Sequence, residues 1–166
     1  MTLEDLLKSR DARVARQAEL LSLYPGKAVI CLTVILPGPE KRDWRSQRIA
    51  VAAVSALKEE FRAHLLFSEE RDLDTGFEGY YVADISPFEA KRRCCTIEDT
   101  HPLGRLLDID IIVPSETTVQ PLGREVLGLP PRKCLLCGNE VRRCMRARTH
   151  NTEELLAKIT EMVDNY

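Results

Sequence analysis

Leu107-Asp108-Ile109-Asp110-Ile111 constrains this chain more tightly than any other stretch. Alternate side chains of a strand share one face, so this pattern demands a half-buried strand. Leu107, Ile109 and Ile111 go to the core, and Asp108 and Asp110 stand together on the opposite face. The strand is expected from Leu106 to Val113. Two carboxylates held side by side repel each other unless a cation lies between them. Oxygen ligands at this spacing suit Mg²⁺, which keeps waters and takes further ligands from substrate phosphates. Such an ion would neutralise charge developing on a pyrophosphate leaving group. The plain alternative is an edge strand with a solvated acidic face. Gly104-Arg105 immediately upstream favours a phosphate site, because glycine admits close backbone approach and an arginine forks onto phosphate oxygens.

Helices and strands mingle along the rest of the chain, giving an α/β or α+β class. Thr2 and Asp5 form a capping pair for a helix over residues 2–21, with Leu3, Leu6, Leu7, Val14, Ala18 and Leu21 as its apolar stripe. Residues 28–36 read as a buried strand, ended by Pro37-Gly38-Pro39. A second helix runs from about Asp43 to Phe61. Leu65-Leu66-Phe67 and Tyr80-Tyr81-Val82 are short strands, with Gly76 and Gly79 marking the turn between them. Ser86-Pro87-Phe88-Glu89 starts a helix that carries Lys91 to about Ile97. Asn151 and Glu154 cap a last helix whose Leu155, Leu156, Ile159, Met162 and Val163 face inward. We expect a single domain over residues 1–166 with a mixed central sheet flanked by helices.

The chain carries a net charge of -2 and only 5% aromatic residues, which argues against a nucleic-acid partner. No apolar run approaches the ~18–20 residues of a membrane span. Met1-Thr2-Leu3-Glu4-Asp5 lacks the order of a signal peptide, so a cytoplasmic location without membrane attachment is expected. In that compartment the six cysteines are thiols or metal ligands rather than disulfides.

Cys134, Cys137, Cys144 and His150 have the composition of a closed tetrahedral zinc site. The alternative is three packed thiols and an unrelated histidine. We expect the second, with no zinc, for two reasons. A chain of this length builds a core unaided. Arg142, Arg143 and Arg146 would crowd a cationic centre. Arg132, Lys133, Arg142, Arg143, Arg146 and Arg148 make the same segment basic, which suits either a solvated helix face or phosphate binding.

Taken together, several stretches resemble the holo-citrate lyase synthase family. They are Ser9-Arg10-Asp11-Ala12-Arg13 with Gln17; Pro37-Gly38-Pro39-Glu40-Lys41; Glu78-Gly79-Tyr80-Tyr81-Val82-Ala83-Asp84; Ile97 through Leu106 running into Asp108-Ile109-Asp110; and Arg132-Lys133-Cys134-Leu135-Leu136-Cys137 through Cys144, Arg146 and His150. The resemblance covers nearly the whole chain. It implies transfer of the phosphoribosyl-dephospho-CoA part of triphosphoribosyl-dephospho-CoA to a serine of the citrate lyase acyl carrier subunit, with release of pyrophosphate. The corresponding malonate decarboxylase enzyme also has a carboxylate pair after a Gly-containing turn, which implies a catalytic role for Asp108 and Asp110. A nucleotidyltransferase-like fold is expected on the same ground.

The expected site is therefore Asp108 and Asp110 as catalytic residues and Mg²⁺ ligands, with Asp84 as a third ligand. Gly104, Arg105, Arg132 and Arg146 bind substrate, and His101 is a weaker candidate. Two other functions compete with this one: a zinc-stabilised nucleic-acid-binding module, and a non-catalytic chaperone of citrate lyase assembly.

Overall fold

The computed structural model describes residues 2–166. Helix α1 (Leu3–Leu23) starts at the expected capping box, in which the Asp5 amide donates to Thr2 Oγ1 and the Thr2 amide donates back to Asp5. Strand β1 (Ala28–Val34) follows, then α2 (Trp44–Phe61), whose N-cap is Asp43. Strands β2 (Leu65–Leu73) and β3 (Gly76–Ala83) form a hairpin. Ser86 caps α3 (Pro87–Thr100), and a 3₁₀ turn at Gly104–Leu106 leads into β4 (Leu107–Pro114). A short β5 (Val119–Pro121), helix α4 (Val141–Ala147) and helix α5 (Thr152–Asp164) complete the chain.

The five strands make one sheet in the order β2-β3-β1-β4-β5, and every pairing is antiparallel. The fold is therefore α+β, and the sheet is antiparallel throughout rather than mixed. One face buries Ile30, Leu32, Tyr81, Leu107, Ile109 and Ile111 against α2, α3 and α5, forming the main core. On the other face Val29, Cys31, Tyr80, Val82 and Ile112 pack against Leu20 of α1.

Three local expectations change. The β2–β3 hairpin runs well past Phe67, because the charged residues Glu69 to Asp72 are the outer strand of the sheet and need no apolar cover. The turn is Asp74-Thr75, closed by Gly76 at φ +120° as the first residue of β3, whereas Gly79 lies within β3, where a Cβ would come 2.9 Å from the Tyr81 ring. In α1 the inward stripe is not the leucine-rich one: Leu3 and Leu7 are 73% and 51% exposed, and Gln17 and Leu20 are buried.

No helix among the described residues is long and apolar enough to cross a membrane.

Candidate active site

Register places Asp108 and Asp110 as their alternation requires. Across the sheet, Glu78, Thr33 and Asp108 form one row, and Tyr80, Cys31 and Asp110 form the next. Val82, Val29 and Ile112 make the third. This face thus grades from apolar to charged. Helix α1 matches the gradient. Leu20 packs on the apolar end, while Gln17, Arg13 and Ser9, each one turn further on, lie toward the polar rows.

Glu78 is the hub of that polar end. It is 5% exposed and accepts the Tyr80 hydroxyl at 2.6 Å and the Ser9 hydroxyl at 3.4 Å; Arg13 Nε lies 3.4 Å away. Burial pushes the pKa of the Cys31 thiol up to about 12, with Gln17 and Arg13 acting against that rise. Burial first, and then the Asp108 charge, raise Asp110 to about 6. Lys91 and Arg132 oppose that rise. Asp110 is therefore a carboxylate of unusually high basicity that is still ionised near neutral pH.

A cationic cluster stands beside the pair, at the edge of β4 left open below β5. Glu98 of α3 covers this edge by accepting the Ile109 amide at 2.9 Å. Burial holds Glu98 above the usual carboxylate range, with Arg132 acting against it. Arg132 Nη1 lies 3.6 Å from Glu98 and 3.7 Å from Asp108, and Arg132 Nη2 donates to the Gly104 and Arg105 carbonyls at 3.2 Å each. Arg124 bridges Glu98 and Asp99 at 3.1 and 2.6 Å. Arg105 is half-buried beside Arg132, and its own burial and that neighbouring cation both lower its pKa. A guanidinium crowded in this way gains from an added anion.

Other expected residues fall differently. The Gly104 amide already donates to the His101 carbonyl at 2.8 Å, and a Cβ at this position would come 2.4 Å from the Glu98 carbonyl. Glycine is thus required by packing on α3, and the Gly104 carbonyl serves Arg132. His101 Nδ1 accepts the Leu103 amide, and its ring packs near Tyr166. Arg146 is exposed on α4, in a groove with Arg142 and Arg143. The sequence reading missed Glu78, Glu98, Lys91 and the inward polar face of α1. Its available signal was the four-residue spacing of Ser9, Arg13 and Gln17.

Both metal expectations need correction. The Mg²⁺ reading of Asp108 and Asp110 is not supported. Among the described residues the pair gathers no third ligand, because Asp84 is engaged by Lys27 at 2.6 Å and Glu98 is used by Ile109 and the arginines. The charge facing Asp108 is Arg132. Among the described residues, the group able to hold a metal ion is Cys134, Cys137, Cys144 and His150, whose ligand atoms all lie within 4.8 Å of one another. Cys137 and Cys144 Sγ are 3.5 Å apart, and His150 Nε2 is 3.4 Å from Cys137 Sγ. The expectation of packed thiols, an unrelated His150 and no zinc is overturned by local geometry. A Lys133–Glu140 bridge folds the Cys134-to-Cys137 turn, and α4 starts at once and returns Cys144 to it. Arg142, Arg143 and Arg146 point to solvent, so they do not crowd the centre.

Fold and site together define a small α+β domain with a basic carboxylate, its acidic partner and a guanidinium cluster at one end of an antiparallel sheet. Residues 1–166 match the family model described as apo-citrate lyase phosphoribosyl-dephospho-CoA transferase, and the chain belongs to that family. It is 30% identical to a probable apo-citrate lyase phosphoribosyl-dephospho-CoA transferase of Streptococcus pyogenes serotype M18, over 99% of this chain and 86% of that one. A probable apo-citrate lyase phosphoribosyl-dephospho-CoA transferase of Vibrio cholerae serotype O1 is 33% identical over 100% of this chain and 93% of its own length. The Leuconostoc mesenteroides Protein CitXG is 30% identical, and this chain spans 36% of it.

Proposed function

We propose that this chain transfers the phosphoribosyl-dephospho-CoA group from triphosphoribosyl-dephospho-CoA to a serine of the citrate lyase acyl carrier subunit. Membership of the transferase family along the whole chain supports this reading. The observation that carries it is the raised basicity of Asp110 beside a guanidinium cluster. In the proposed step the serine Oγ attacks the phosphorus nearest the ribose, and an Oγ–P bond forms. The P–O bond to pyrophosphate breaks, and the serine proton passes to Asp110 and then to solvent or the departing pyrophosphate. A base with its pKa near the working pH is well matched to that proton. Arg105 and Arg132 bind the phosphate oxygens, where fixed cations stabilise charge as the leaving group separates. Asp108 holds Arg132 and sustains the basicity of Asp110.

The test is the mass of the carrier subunit after incubation with enzyme and triphosphoribosyl-dephospho-CoA. The wild-type chain should add one phosphoribosyl-dephospho-CoA group. Asp110→Asn should slow the addition by about 10²–10⁴-fold, the usual contribution of a positioned general base. A carrier mass that never changes with wild-type enzyme refutes the transferase reading. Loss of less than about tenfold in Asp110→Asn removes Asp110 from the proton transfer.

A further inference from the structure

From Val113 to Lys158 the buried residues are Cys134 and Cys144 alone. This arm contains α4, a helix of seven residues, far below the length at which a helix is stable by itself. It ends in a left-handed Arg148, φ 48°. Leu122 and Leu135 pack, partly buried, against the main core, but no apolar side chain from 136 to 150 joins either core cluster, and the arm delivers Arg132, two residues before Cys134, to Glu98 and Asp108.

We propose that Cys134, Cys137, Cys144 and His150 form a structural zinc site that folds this arm and so positions Arg132 at the polar end of the sheet. Zinc bonds of about 2.3 Å to sulfur and 2.0–2.1 Å to nitrogen, at tetrahedral angles, set ligand atoms roughly 3.5–3.8 Å apart. The Cys137–Cys144 and His150–Cys137 separations, 3.5 and 3.4 Å, are edges of such a tetrahedron. Three soft thiolates and an imidazole select zinc over hard cations. Four protein ligands close the coordination sphere, which makes the site structural rather than catalytic. Three thiolates, a neutral imidazole and Zn²⁺ sum to one negative charge. The exposed Arg142, Arg143 and Arg146 around it are therefore favourable neighbours, whereas they would oppose a bare cation. Metal binding would add to the little folding energy that burial supplies here.

The positioning role rests on the transferase reading; the metal site does not. Elemental analysis of the full chain, purified without chelator, should find about one zinc per molecule. Exchange with Co²⁺ alone should give the visible bands of a tetrahedral ion and strong thiolate charge-transfer absorption. His150→Ala should lose the metal, whereas His150→Cys should retain it as a four-thiolate site. Chelation should raise hydrogen exchange across residues 131–150 by at least about tenfold while β1 and β4 stay protected, and it should depress transfer reversibly. Absence of metal, or a Cys137–Cys144 disulfide in its place, overturns the site. Metal retained in His150→Ala overturns the ligand assignment. Zinc-free protein with unchanged exchange at 131–150 overturns the structural role. If the zinc-loaded chain binds metal as described but never modifies the carrier, the transferase reading fails and the metal site stands.

Discussion

Asp110 lies on a strand whose opposite side chains, Ile109 and Ile111, are fully buried, and helices cover both faces of its sheet. Cys137 lies in an arm whose buried residues are two cysteines. The first region holds polar groups in place by burying the apolar groups around them, and the Asp110 carboxylate, itself partly buried, carries the desolvation cost as raised basicity. The second touches the core only through partly buried side chains such as Leu122 and Leu135, and its four ligand atoms lie within 4.8 Å of one another. Arg132 joins the two regions, being covalently part of the arm and electrostatically part of the sheet site. The difference teaches that this domain splits one function between a framework made by hydrophobic burial and an attachment made by local cross-linking.

The largest expected effect separates the two regions by stability. Ile30 is fully buried in the main core, and Ile30→Ala should cost about 2–5 kcal/mol of global stability, read as a lower thermal midpoint by circular dichroism. Cys144→Ala should leave the global stability within about 1 kcal/mol of wild type and loosen the arm alone, read by proteolysis between residues 131 and 150. A Cys144→Ala variant that melts globally, like Ile30→Ala, would show that the arm is part of the core's cooperative unit.

These two regions were not equally legible in the sequence. Caps are local, so Thr2 with Asp5, Ser86 with Glu89 and Asn151 with Glu154 were readable directly. The alternation of Leu107 to Ile111 likewise decides its own face. What brings Glu78 beside Thr33 and Asp108 is pairing between distant strands, and no single segment encodes it. Glu98 was hidden for the same reason: its partner is the edge amide of Ile109, an edge exposed only because β5 is short. The α1 stripe misled because Leu3 and Leu7 satisfy helical periodicity while Gln17 and Arg13 meet the polar half of the sheet. For the cysteines, composition was visible but convergence was not. The bridge from Lys133 to Glu140 and the immediate start of α4 decide it. Chain length was a poor guide, since the core it makes possible lies elsewhere.

Arg132→Gln should show an intermediate effect and cut the link itself. Glu98 keeps Ile109 and Arg124, so the loss should be about 1–3 kcal/mol rather than that of a bare buried charge. Removing this cation also takes away an influence that favours ionised Asp110. The acidic limb of the transfer rate against pH should therefore move to higher pH. A limb that stays in place would confine Arg132 to holding the arm.

The smallest effect concerns the energy stored at Asp110. Its folded pKa of about 6 stands above the ordinary carboxylate value, so folding favours the protonated form. The sign follows directly. Below the unfolded pKa the carboxyl is protonated in both states and folding gains or loses nothing from it. As pH rises from about 4 to 6 the unfolded chain releases its proton first, and the native state loses relative stability. Above about 6 the penalty is complete and stays constant. A shift of about two pKa units corresponds to roughly 2–3 kcal/mol, and partial exposure to solvent reduces this to about 1–2 kcal/mol. Asp110→Asn removes the charge with little change in shape. The variant should therefore match wild type near pH 4 and exceed it by about 1–2 kcal/mol at pH 7, as measured by urea denaturation at both pH values. On the proposed mechanism it should do so while losing transfer activity, because the carboxylate whose burial weakens the fold is the one proposed to accept the serine proton. If Asp110→Asn is no more stable than wild type at pH 7, Asp110 is solvated like an ordinary carboxylate, and the contrast between a site held by burial and an arm held by cross-linking loses its energetic basis.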